Sequence, residues 1–138
     1  MHDQSIRFIA TWEAAVANDD MAGMTTLFAA DAVFRSPAVF KPYQGRETIH
    51  YVLSLVMQVF GPLTYTNTWA NDTGGVVMQF ATTVQSGDKT LALEGVDIFQ
   101  LDASGQIVDL RVMIRPWRGL QAVAAAMEAK MGLTPKAE

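Results

Sequence analysis

Apolar positions recur at spacings of three and four over the first part of the chain and at every second residue after about residue 64. Over residues 5–17, Ile6, Ile9 and Val16 interleave with Phe8, Trp12 and Ala15, which is helical period, and Asp3 or Ser5 stands where a cap is wanted. Asp20 is placed to cap a shorter helix over 21–29 with Met24, Leu27 and Phe28 on its apolar side. A short strand over 32–36 ends at Pro37, and a proline-containing loop runs to Gly45. The next helix, 46–60, carries Ile49, Val52, Leu53, Val56 and Phe60 before Gly61-Pro62 stops it. Strands are predicted at 64–70, 76–85, 90–101 and 106–115, separated by turn-rich segments short enough to require antiparallel hairpins. An alanine-rich helix over 117–131 closes the pattern, with Arg115-Pro116-Trp117 as a hinge and Trp117 as the anchor. Helices first and strands later make an α+β fold with helices on one face of a curved antiparallel sheet. No repeat or linker interrupts residues 1–138, which are expected to form a single domain.

Side chains of a strand alternate between faces, so each strand sorts into two sets. Val76, Met78, Phe80, Thr82 and Val84 form one core-facing set, and Val108, Leu110, Val112 and Ile114 form another. Between them, Leu91, Leu93, Gly95, Asp97, Phe99 and Leu101 share one parity, and Asp97 is the one charged side chain in the three sets. A carboxylate among Leu and Phe is costly unless solvated or paired, and the ordinary response is a raised pKa. Asp97 is therefore a candidate proton donor or acceptor in a ligand pocket. Two other readings stand beside this one: a core aspartate bonded to a buried indole or hydroxyl, or a bulge at Gly95 that turns Asp97 outward.

Composition narrows the chemistry. Half of the 138 residues are apolar and there is no cysteine, which excludes thiol nucleophiles, thiolate metal sites and a disulfide scaffold. A formal net charge of −4 argues against a nucleic-acid partner. The apolar run 51–63 is too short and too broken to span a bilayer, and MHDQSIRF has no leader pattern, so a cytoplasmic protein without a membrane partner is expected. No phosphate loop, nucleophile elbow or metal-ligand pattern calls for a metal or cofactor. His50 reads as a surface residue, with a general base at a pocket mouth as its sharper version; Tyr51 beside it is a further possible hydroxyl. Met57 and Met78 are candidates for an adaptable pocket wall.

The segments NDDMAGMTTLFAADAVFRSP, YQGRETI and LEGVDIFQLDASGQIVDLRVM, in this order, resemble the nuclear transport factor 2-like superfamily, and within it the ketosteroid isomerase and SnoaL-like polyketide cyclase branches. The resemblance covers about residues 5–116. It implies a cone-shaped curved antiparallel sheet wrapped around N-terminal helices, one apolar pocket, and a homodimer through the outer sheet face, where Val96, Ile98 and Met113 lie. Isomerases of this family use a carboxylate base with a tyrosine and a protonated aspartic acid as oxyanion donors. Carried over position by position, the protonated acid falls on Asp97, the tyrosine on Trp12 and the base on Ser36. Indole donates but does not titrate, and a serine without a neighbouring base does not abstract a carbon-bound proton. The epoxide hydrolase arrangement of the superfamily is also missing: its arginine place is Gly95, and Asp109 and Arg111 have outward parity.

The resemblance thus implies a small hydrophobic, carbonyl-bearing ligand and cofactor-free isomerase- or cyclase-like chemistry at Asp97. Trp12, Ser36, Val52, Phe80, Phe99, Leu110, Val112 and Ile114 are expected to line the pocket. The alternative is a non-catalytic binding or dimerisation module that kept the pocket and lost the base.

Overall fold

The computed structural model describes residues 3–132. Its first helix, α1 (Asp3–Ala17), buries Phe8, Trp12, Ala15 and Val16. Ser5 is no cap: it lies inside the first turn and is buried, while Asp3 is the first helical residue. Helix α2 (Met21–Thr26) is capped by Asp20, whose Oδ1 accepts from the Gly23 amide at 2.9 Å. This helix stops three residues earlier than its periodicity predicts. Phe28 opens strand β1 (Phe28–Arg35) instead, because pairing with a distant strand supplies its backbone bonds.

Strand β2 (Tyr43–Gln44) turns back against β1, and Gly45, at φ 93°, leads into helix α3 (Arg46–Val59). A side chain at that φ would be strained, which explains a glycine there. Strands β3 (Thr64–Ala70), β4 (Gly75–Ser86), β5 (Lys89–Leu101) and β6 (Ile107–Arg115) follow as antiparallel hairpins. Helix α4 (Trp117–Met131) ends the described chain.

One curved, unclosed sheet results, in the order β2-β1-β6-β5-β4-β3. Its β1–β6 contact is parallel, a pairing that hairpin reasoning alone does not supply. The Leu27 carbonyl accepts from the Ile107 amide at 2.8 Å, and the Phe28 carbonyl from Arg46 Nε at 2.8 Å, so β1 is held from both sides. A register shift between Gln100 and Leu101 turns Ile107, expected on the outer face, fully inward and leaves Val108 only partly buried.

Gly95 carries no bulge. It pairs regularly with Phe80 and Ile114, and Asp97 keeps its inward parity between Met78 and Val112. A Cβ on Gly95 would lie 2.6 Å from Cζ of Phe80, so the missing side chain is what lets that ring lie across β5. The helices cover the concave face: Phe8, Trp12, Phe28 and Phe99 pack at one end, and α4 closes the other against α3, β4, β5 and β6. Trp117 does not anchor α4, since it is 67% exposed. Val123 and Gly119 make that contact, the latter seated against the Leu93 side chain.

Candidate functional site: a carboxyl in an apolar cavity

Between the sheet and helices α1, α3 and α4 lies a cavity of about 130 Å³. From α1 and α3 it receives Trp12 and Val52; from the sheet, Phe80, Leu110, Val112 and Ile114; and from the segment after β1, Ser36. Asp97 reaches the same space from β5 and is 8% exposed. Phe99 does not line it. Two residues beyond Asp97 on the same face, its ring lies edge-on to Phe8 at 4.9 Å and to Trp12 at 5.0 Å, in the closed end of the cone. Met57 is on the wall, whereas Met78 is fully buried in the core and off it. His50 and Tyr51 lie elsewhere: both are exposed, and His50 Nδ1 is 2.6 Å from Thr25 Oγ1. Arg35 and Asp109 pair at 3.0 Å on the outer side, where parity puts them.

The sequence reading missed Tyr65. Its hydroxyl donates to Asp97 Oδ2 at 2.6 Å and accepts from Trp12 Nε1 at 2.7 Å. An indole N–H only donates, so the direction of this chain is fixed: Trp12 to Tyr65 to Asp97. Asp97 has no other hydrogen-bond partner among the described residues. Oδ2 is thereby occupied, and the proton that Asp97 gains or loses belongs on Oδ1.

Burial holds the Asp97 carboxyl up at about 7, against 3.8 for an ordinary aspartate, and the Tyr65 hydrogen bond offsets only part of that rise. Tyr65 is itself driven well above 10 by burial and by the facing Asp97 charge, so it stays a neutral donor. Near neutral pH the one member of the relay that titrates is Asp97. Ser36 is held in a turn, its Oγ accepting from the Ala38 amide at 3.1 Å; its hydroxyl proton has no acceptor among the described residues. Among the described residues no group of three or more His, Asp or Glu is arranged to hold a metal ion, and no helix is long and apolar enough to cross a membrane.

A curved, unclosed sheet folded over helices is the fold of ketosteroid isomerase-like and cystatin-like proteins. Residues 7–110 match the SnoaL-like domain model, and the chain belongs to that family, within the nuclear transport factor 2-like superfamily. Among solved structures it is similar to a steroid delta-isomerase from Pseudomonas aeruginosa, with 34% identity and a TM-score of 0.87 over 96% of this chain and 94% of that one. It is also similar to a protein of cystatin-like fold from Silicibacter pomeroyi, at 30% identity and TM-score 0.83, covering 96% and 87% of the two chains. A ketosteroid isomerase-like fold from Catenulispora acidiphila, at 18% identity and TM-score 0.66 over 93% and 97% of the chains, shares the fold. No curated protein matches the sequence.

Proposed function

We propose that the protein binds a small, apolar, carbonyl-bearing molecule and that Asp97 exchanges a proton with it in isomerase- or cyclase-like acid/base chemistry. The observation that carries this reading is a buried carboxyl on the wall of an apolar cavity whose one partner among the described residues is a neutral hydroxyl. Ionised, Asp97 Oδ1 removes a proton from the carbon beside the carbonyl; the resulting enolate takes the same proton back at another carbon, and the carboxylate is regenerated. Protonated, it donates to the carbonyl oxygen, and the Ser36 hydroxyl is a second donor for that oxygen. A volume of about 130 Å³ is well under the roughly 300 Å³ of the smallest drug-sized pockets. It is close to the cavity of about 150 Å³ that holds benzene, so the ligand has the size of one ring.

Carboxyl NMR titration tests this directly. Asp97 is expected to titrate near 7 and to shift on addition of 3-cyclohexenone, a β,γ-unsaturated ketone whose isomerisation to 2-cyclohexenone is read by ultraviolet absorbance. A depressed midpoint insensitive to ketone rejects the reading. Ser36 at the place where the isomerases carry their base favours a second reading, a binding module without turnover. A ketone-dependent shift without enone formation selects it.

The resemblance to the family and the outer face of the sheet support a homodimer. Trp69 and Met113 are 55% and 51% exposed there, beside partly buried Val96 and Ile98. Sedimentation velocity at micromolar concentration is expected to show a dimer that W69K disrupts; a monomer at that concentration refutes it.

A further inference from the structure

Helix α4 gives the cavity Val123, Ala124, Met127, Glu128 and Met131, the positions of a single helical face. Glu128 is the acidic member of that apolar stripe, as Asp97 is on β5. It is partly buried and has no hydrogen bond or ion pair among the described residues. Lys130, two positions on, lies on a different face of the helix. The placement is also unfavourable for the helix itself. Glu128 lies in the last turn, just before the Gly132 cap, where the negative end of the helix dipole favours a cation. Neither helix stability nor a partner among the described residues therefore explains a glutamate facing the cavity. Among the described residues of the lining there is no Lys, Arg or His, and both charged members are carboxyls.

We propose that Glu128 is a specificity-determining residue: it selects ligands bearing a cationic amine on the end away from the carbonyl and rejects carboxylates. This rests on the reading of Asp97 as the group that meets the carbonyl. The two acidic residues of the lining, one on β5 and one on α4, then divide the work, with the carbonyl at the relay and the ammonium group at α4. An ion pair at a partly solvated position changes affinity about two- to fivefold.

The test is calorimetric titration of two matched sets of one-ring compounds. The first is acetophenone carrying a para methyl, aminomethyl or carboxylate group; the second is p-xylene, 4-methylbenzylamine and 4-methylbenzoate, which lack the carbonyl. The parent protein is expected to bind the amine about two- to fivefold more tightly than the neutral compound in each set, and the carboxylate most weakly. E128Q is expected to abolish the amine's advantage while leaving the neutral compound unchanged, and E128K to reverse the order. A lysine in the last helical turn suits the dipole, so that variant folds. An order of affinities that is the same in all three proteins overturns the proposal, as does tightest binding of the carboxylate by the parent. If the ketones fail to bind but the carbonyl-free set obeys the charge rule, the Asp97 reading falls and the Glu128 assignment stands. Ketones that bind without regard to charge give the converse, and binding of none of the six compounds overturns both.

Discussion

Asp97→Asn is expected to give a protein that resists heat better than the parent above pH 7 and converts 3-cyclohexenone at least about tenfold more slowly. The two effects share one cause. In the unfolded chain the carboxyl ionises near 3.8; in the folded protein it keeps its proton to about 7. Below pH 3.8 both states are protonated and the group's contribution to stability is fully present. As pH rises from about 4 to 7 the unfolded state releases the proton first, so stability falls; above 7 both states are ionised and the loss is complete. At about 1.4 kcal/mol per pKa unit, this loss is about 4 kcal/mol. For a chain of this length that corresponds to roughly 14 °C in Tm. Asparagine has no proton to lose and still accepts from Tyr65, so its melting temperature lacks this dependence. Thermal denaturation of both proteins from pH 4 to 9 checks the difference between them, in which the other carboxylates cancel. A parent and variant whose melting curves run parallel across that range would show that Asp97 is not the buried acid described here.

Tyr65→Phe removes the centre of the relay. The Trp12 N–H loses its acceptor, and an orphaned buried donor costs about 1–3 kcal/mol, measurable by urea denaturation. Asp97 loses the hydrogen bond that lowers its pKa, so its midpoint is expected to move above 7. The pH at which enone formation is half-maximal should move up with it, because the base must be ionised to act. A purely structural tyrosine would lower stability and leave that midpoint in place. The midpoint is thus the measurement that decides the role of Tyr65.

The period-2 pattern exposed Asp97 because β4, β5 and β6 keep regular register around it, from Met78 on one side to Val112 on the other. The same rule could not find Tyr65. Thr66 has no partner in the β3–β4 ladder, and the register shift there reverses parity along β3. Tyr65 faces inward, and beyond the shift Thr68 and Ala70 do so, while Trp69, at Tyr65's parity, points out. Strict alternation would have grouped Tyr65 with exposed Trp69. The only clue in the sequence was a polar aromatic two residues after the Leu63 that ends the preceding turn. Phe99 was misplaced for another reason: parity states which face a residue occupies, not how far along the cone it lies. The early start of β1 and its parallel partner were hidden because Met24, Leu27 and Phe28 have helical spacing. A tertiary ladder with Ile107 overrode that local preference.

The buried Asp97 carboxyl and its hydrogen-bond relay sit on β5, β3 and α1, whereas the other acidic group of the cavity lining comes from α4, the last element of the described chain. Changes to that terminal segment leave every bond of the relay untouched. Such a separation makes the scaffold modular: substitutions along one helix can retune the charge lining the cavity while the Trp12–Tyr65–Asp97 hydrogen bonds persist.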